Sequence, residues 1–270
     1  MQTRFSTRLA DLKASPIRDI LEVVEKPGIV SFAGGLPCAE SFPHLGQMEI
    51  PRHVLQYGAT EGESALREEI ASELCGRGLN CTSDQVLVLN GSQQGIDLVA
   101  KLFIDAGSQV AVESPTYLAA LQVFRYFARL KQAADLHSNR VSQWLILQQL
   151  RDSCRAARLD KVRDDYRAKR DHFNNCLERT FAHLATWQVP PGGLFFWLRL
   201  KSDSPIGTRA LLATAIERSV VFMPGEPFFA QENAGLGTLR LNFSHASYAD
   251  VERGLNVLAK LVQEQMIAMR

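Results

Sequence analysis

The sequence predicts an α/β protein in which a parallel-sheet unit is cut short and an α+β unit follows at the C-terminal end. Three observations carry this. Residues 85–117, "QVLVLNGSQQGIDLVAKLFIDAGSQVAVESPTY", read strand, tight glycine turn, helix, glycine turn, strand, the pattern of a βαβ crossover. From Thr116 to Val189 there is neither glycine nor proline, and the periodicity is helical throughout. After Pro190-Pro191-Gly192-Gly193 strands and helices alternate again at close spacing.

Each element follows from local sequence. An amphipathic helix over about residues 8–25 is stopped by Lys26-Pro27-Gly28. "IVSFAGGLPCAESFP" gives a short apolar strand and a Gly/Pro-rich loop. "ESALREEIASELCGRGLN" is a helix that Gly76 and Gly78 end. Strands are expected at Val86–Leu89 and Val110–Glu113, with a helix between them. The glycine-free run holds two or three helices, and Leu121, Phe124, Phe127 and Leu130 form one stripe near its start. Within it "YFARLKQAADLHSNR", residues 126–140, reads as helix from end to end. The last part supplies strand "LFFWLRL", helix "GTRALLATAIERS", strands "VVFMPG" and "TLRLNFS", and a helix from Tyr248 onward. Two parallel strands alone make a poor sheet, because parallel sheets are buried on both faces and need neighbours.

Bulk properties narrow the function. A net charge of +1 over 270 residues provides no global field for nucleic acid or an anionic membrane. No stretch has signal-peptide or membrane-spanning character. The five cysteines never form C-x-x-C, so neither a disulfide framework nor a metal site is expected, and free thiols suit the cytoplasm.

Three places could carry chemistry. In "LNGSQQG" a strand runs through Gly91, Ser92 and Gln93 into a helix, which is either a plain turn or an anion site built from helix N–H groups and a hydroxyl. Tyr117 ends a strand where α/β sheets hold ligands, either packing or stacking on a flat cofactor. Arg240 sits within the apolar strand "TLRLNFS", either in a structural ion pair or as a clamp for a carboxylate.

In order along the chain, "KASPIRDIL", "IVSFAGGLPCAESFP", "LQYGATEGESALREEIA", "NGSQQGIDLV", "VESPTYLAALQVFR", "KQAADLHSNRVSQ", "PPGGLFFWLRL", "VVFMPGEPFF" and "LRLNFS" resemble the class I/II aminotransferases of fold type I, which depend on pyridoxal 5'-phosphate. The similar branch contains 2-aminoadipate and broad 2-oxo acid transaminases. Related domains occur fused to winged-helix modules. None is expected here, because the chain starts just ahead of the first family helix. The resemblance implies four segments: an N-terminal helix and substrate loop (1–49), a remnant of the cofactor-binding large domain (50–128), a helical connector (129–189) and an intact small domain (190–270).

It also implies roles. Gly91, Ser92 and Gln93 would hold the cofactor phosphate, and Tyr117 would stack on the pyridine ring. Tyr57 would reach the phosphate in a neighbouring subunit, which implies a homodimer or a heterodimer with a full-length homologue. Arg240 would clamp the substrate carboxylate, with Gly35 and Arg18 bordering the pocket of an amino acid or 2-oxo acid.

The family's central stretch does not follow. The resemblance stops near Phe127 or Ala128 and resumes near Leu130-Lys131, so a domain-sized segment of about 100–150 residues is expected to be missing. With it would go the Schiff-base lysine, the aspartate that protonates the pyridine nitrogen, and most strands of the sheet. The eight lysines present read as solvated. No catalytic residue is therefore assigned, and an inactive family member is expected. The alternatives are a non-catalytic binding or regulatory subunit and a working enzyme with rearranged chemistry.

Overall fold

The structure is a computed structural model that describes residues 28–43, 46, 48–105, 107–125, 138–201, 206–231 and 234–268. The expected helix over residues 8–25, Arg18 and most of the 126–140 stretch lie outside the described residues. The chain sorts into two compact units, each assembled from separated segments.

One unit comprises residues 43–112 and 117–160. Its helices are α1 (Ser64–Gly76), α2 (Ser92–Phe103), α3 (Leu118–Arg125), α4 (Arg140–Arg151) and the first residues of α5 (Arg155–Phe181). Helix α1 ends as its glycines predict: Gly78 takes φ +88°, Leu79 N–H donates to the Leu74 carbonyl at 3.0 Å, and Gly78 N–H to that of Cys75 at 2.9 Å. These two bonds close a Schellman motif over the last carbonyls. Helix α4 packs on α1, and α3 on α2. Helix α4 begins behind Asn139, whose side chain accepts from Ser142 N–H at 2.9 Å. Ser138 and Asn139 are therefore not helical, and the reading of 126–140 as continuous helix fails at that end. An asparagine N-cap stopped it, a signal present in "HSNR".

The expected strands Val86–Leu89 and Val110–Glu113 are not strands. Residues 86–89 run outside any sheet and are held by contacts to several segments. Val88 N–H donates to Glu61 O at 2.9 Å, Ser138 Oγ donates to Val88 O at 2.9 Å, and Val88 packs on Gly62. A strand forms only beside another strand, and among the described residues this unit contains none. The apolar residues that a sheet would cover are left open: Leu87, Val110 and Val112, with the α2 stripe Val99, Leu102 and Phe103.

The other unit comprises residues 1–42, 113–116 and 161–270. A four-stranded sheet runs in the order β2 (Ala185–Trp187), β3 (Phe195–Leu200), β6 (Thr238–Asn242), β5 (Met223–Pro224), with antiparallel neighbours. A second, parallel pair joins β1 (Val30–Ser31) to β4 (Val220–Val221). Strand β2 was not anticipated from sequence. Three residues with one buried position carry little periodicity, and the pairing with β3 defines them. Alternation in β3 puts Phe196, Leu198 and Leu200 into the core and Phe195, Trp197 and Arg199 on the other face.

Helix α6 (Thr208–Glu217), α7 (Tyr248–Ala268) and the later turns of α5 complete this core. Phe173, Cys176, Leu177 and Phe181 of α5 are buried, as are Val251, Leu255, Leu258 and Val262 of α7, both sets at helical spacing. Gly254 is required for the fit, since a Cβ there would lie 2.7 Å from the Phe32 ring. The strand "VVFMPG" is split at Phe222, with one side pairing β1 and the other β6.

Candidate cofactor and substrate site

The turn into α2 has the features of an anion cradle. Gly91 caps the helix at φ +105°, a conformation open to glycine, and a Cβ there would meet nothing within 4 Å. Its own lack of a side chain leaves the first-turn N–H groups without a cap acceptor. Asn90 N–H donates to Gln94 Oε1 at 2.8 Å, which pins the entry to the helix. Ser92 and Gln93 are exposed on the first turn, and Gln93 Nε2 donates to Ala119 O at 3.5 Å. That bond ties the turn to the segment beginning with Tyr117, whose ring is 49% exposed. Gly91, Ser92, Gln93 and Tyr117 therefore belong to one unit.

Tyr57 belongs to the same unit and is 75% exposed. Its loop is held by Arg140, a residue the sequence reading did not single out. Arg140 pairs with Glu63, and its Nη1 donates to the carbonyls of Gln56 at 2.9 Å and Tyr57 at 3.1 Å. Close packing reinforces this, because a Cβ on Gly58 would lie 2.6 Å from Arg140 Cδ. Gln143, 2% exposed, accepts from Glu63 N–H at 2.8 Å and donates to Ser138 O at 3.0 Å. The signal for these two was the polar pair Arg140 and Gln143 within "SNRVSQ", at the start of an otherwise amphipathic helix.

In the other unit, Arg240 lies at the middle of β6, opposite Trp197 and Met223. Its guanidinium stands 4.0 Å from the Phe195 ring centroid and 4.8 Å from that of Phe228, and Nη2 donates to Ala33 O at 3.0 Å. A stacked, hydrogen-bonded guanidinium has a fixed orientation, as a carboxylate clamp needs. Gly35 is beside it: a Cβ there would be 3.2 Å from the Phe195 ring. The structure thus brings Gly35 and Arg240 together around Phe195.

Lysines were all read as solvated, which requires correction. Lys101 is largely covered and pairs with Asp97. Lys169 is half-buried, with Nζ 2.9 Å from Cys38 Sγ and donating to Ser244 O at 3.1 Å. Cys38 also donates from Sγ to Glu40, and its N–H donates to Tyr166 OH at 3.0 Å. These four side chains line a cavity of about 340 Å³ that sequence reasoning missed, because its walls come from segments far apart in the chain. Lys201 reaches the Ala182 carbonyl at 2.8 Å. Among the described residues no helix is long and apolar enough to cross a membrane.

Comparison with known proteins adds three findings. Residues 31–128 match the family model described as aminotransferase class I and II. The chain is 24% identical over 397 positions to aromatic-amino-acid aminotransferase 1 of Thermococcus litoralis, covering 97% of this chain and 94% of that protein. It is 26% identical over 384 positions to the 2-aminoadipate transaminase of Thermus thermophilus, covering 93% and 94%. Since the chain has 270 residues, more than about a hundred positions in each alignment face no residue of this chain. Among solved structures, the alpha-aminoadipate aminotransferase LysN of Thermus thermophilus, complexed with N-(5'-phosphopyridoxyl)-L-leucine, superposes with a TM-score of 0.82 at 24% identity, covering 98% of each chain. The fold is that of the fold-type-I aminotransferases, and the match to the class I and II aminotransferase family model lies in residues 31–128.

Proposed function

We propose that this chain is a member of the family that has lost transamination chemistry while keeping the phosphate cradle and the carboxylate-binding arginine. The observation that carries the reading is the length of the alignments to the two relatives, set against the end of the family match at residue 128. Pyridoxal phosphate is the family's cofactor, and the ring with its aldehyde would supply the electron sink for amino transfer. The residues of this chain fit one end of it. Gly91, Ser92 and Gln93 offer N–H and hydroxyl donors for a phosphate, and Tyr117 offers a ring face.

Within the cradle's own unit, no lysine among the described residues fits the aldehyde end. Lys101 shares a helix with the cradle but stands nine residues along it from Ser92, about 13 Å at the helical rise, and is engaged by Asp97. Lys169, Lys201, Lys161 and Lys260 belong to the other unit. No step of a transamination is assigned to this chain.

Arg240 with Gly35 supports a ligand bearing an α-carboxylate, and the 2-aminoadipate relative supports an amino acid or 2-oxo acid. The five free cysteines support a reducing, cytoplasmic address. A second reading, a non-catalytic partner of a full-length homologue, draws support from the exposed Tyr57 and the open apolar stripe of α2.

The test is to incubate the purified chain with pyridoxal phosphate, reduce with borohydride, map the adducts, and assay transamination of 2-aminoadipate with 2-oxoglutarate. The expected result is scattered, substoichiometric labelling without turnover. One stoichiometric lysine adduct together with turnover would overturn the proposal. Scattering measurements on the chain alone and after co-expression with a full-length relative would decide the second reading.

A further inference from the structure

One cluster lies apart from everything above. His172 and Cys176 occupy positions i and i+4 of α5, so both project from one face of that helix. Glu252, on the first turns of α7, meets them there. One ligand atom from each, His172 Nε2, Cys176 Sγ and a Glu252 carboxylate oxygen, lies within 4.8 Å of the others. The three differ in burial: Cys176 is buried, His172 half-buried and Glu252 exposed, so the cluster is open to solvent on the carboxylate side.

The spacing is that of a coordination polyhedron. A tetrahedral zinc ion with nitrogen at about 2.05 Å and sulfur at about 2.3 Å holds those two atoms about 3.6 Å apart. His172 Nε2 and Cys176 Sγ are 3.5 Å apart. The Tyr248 carbonyl oxygen lies 3.4 Å from the same nitrogen, close to a tetrahedral nitrogen–oxygen edge. The Glu252 oxygen is 4.0 Å from Nε2, and its side chain is 51% exposed, free to rotate inward. The imidazole is held edge-on against Tyr248, with ring centroids 4.6 Å apart at 76°, which fixes the direction of Nε2.

A cation already occupies the gap. Arg179 Nη2 donates to Cys176 Sγ at 3.1 Å and to Glu252 Oε1 at 3.3 Å, bridging the sulfur and the carboxylate. Its side chain is 63% exposed and can leave for solvent. The cluster therefore selects positive charge through one soft and one hard donor, with a nitrogen beside them. Carboxylate alone would suit calcium or magnesium, whereas thiolate with imidazole suits the zinc class of ions.

We propose that His172, Cys176 and Glu252 form a binding site for a divalent zinc-class ion, in which the metal displaces Arg179 and water or the Tyr248 carbonyl takes the fourth position. Binding converts the Cys176 thiol to a metal thiolate and releases its proton to solvent. The absence of C-x-x-C in the sequence did not exclude such a site, because H-x-x-x-C on a helix presents the same two ligands on one face.

Cobalt(II) is the probe, because thiolate ligation gives an ultraviolet charge-transfer band and tetrahedral geometry gives strong visible bands. The protein is the full chain with Cys75, Cys81 and Cys154 replaced by serine. One equivalent should produce both bands, and zinc should bleach them. Cys176→Ser should remove the charge-transfer band, His172→Ala and Glu252→Gln should weaken binding at least tenfold and severalfold, and Arg179→Ala should tighten it. Absence of the thiolate band, or its survival in Cys176→Ser, would overturn the proposal. Should Cys176→Ser fail to fold by circular dichroism, unchanged affinity in both His172→Ala and Glu252→Gln would overturn it instead.

Discussion

Arg140 donates to the backbone carbonyl of Tyr57 at 3.1 Å while pairing with Glu63, so the first residue of α4 holds a loop more than eighty positions away. Removing the guanidinium strips donors from three carbonyls, those of His53, Gln56 and Tyr57, at one stroke. Arg140→Ala should lower the melting temperature and open the chain near Tyr57 to chymotrypsin. Arg140→Lys should rescue only part of this, since an ammonium cannot span the same fork. Limited proteolysis with mass mapping reads both.

Gly62 stands at φ +107°, and a Cβ there would lie 2.6 Å from Val88 and 2.8 Å from Gln143 Oε1. Strain and clash add, so Gly62→Ala should destabilise by more than about 2 kcal/mol. A urea midpoint shift with unchanged slope would check it. Gly28, in the other unit at φ +82° and in open space, provides a control in which the clash is absent.

Glu226 caps α6 from a distance. Its Oε1 accepts from Thr208 N–H at 2.6 Å and from Arg209 N–H at 3.3 Å, replacing the side chain that Gly207 lacks. Glu226→Ala should cost about 1 kcal/mol, as for loss of an ordinary N-cap. Glu226→Gln should cost less. Equilibrium unfolding followed by the tryptophans measures both.

Val99, Leu102 and Phe103 of α2 are exposed at 54%, 65% and 79%. Replacing Leu102 and Phe103 together by glutamate should change stability by no more than about 0.5 kcal/mol per site. It should sharply reduce binding of a hydrophobic dye and raise solubility. A large loss of stability would instead mean that the stripe is covered in solution.

Three carboxylates among the described residues contribute to the acid limb. Glu40 is held below the usual range by the Cys38 thiol, its own backbone N–H and Lys169; Asp152 by Arg158 and the Cys154 N–H; Asp250 by Arg253 and Ser247. A folded-state value below the unfolded one gives stability that is present above about pH 4 and is lost as pH falls through the lower folded values. The urea midpoint should hold from pH 7 to about 5 and decline below about 4. Lys169→Met should move the Glu40 titration upward by NMR.

Legibility divided along physical lines. Helices α1, α2, α4, α5, α6 and α7 were visible because their apolar spacing and stop signals are local, as in the Gly76–Gly78 ending. Strands β3 and β6 were visible because each is a short apolar run of five or six residues. The segments at Val86 and Val110 carry the same composition but lack neighbours, and pairing is a property of two segments. The turn into α2 at Gly91–Gln93 was readable because its glycine and the helix it opens are contiguous in sequence. Arg140, the Cys38–Lys169 contact and the His172–Cys176–Glu252 cluster depend on side chains converging from distant segments or on one turn of helix, and short motifs do not report that.

Strand β1 pairs with β4 although Val30 and Val220 are 190 positions apart. The entropy of closing such a loop depends on the logarithm of its length. Shortening it from roughly 320 residues to 190 changes the closure cost by about 0.5 kcal/mol, in favour of pairing. The β1–β4 junction is thus nearly indifferent to how much chain is threaded between its halves. Pairing of β1 with β4 therefore places almost no limit on the length of the chain between them, because the closure cost grows only with the logarithm of that length.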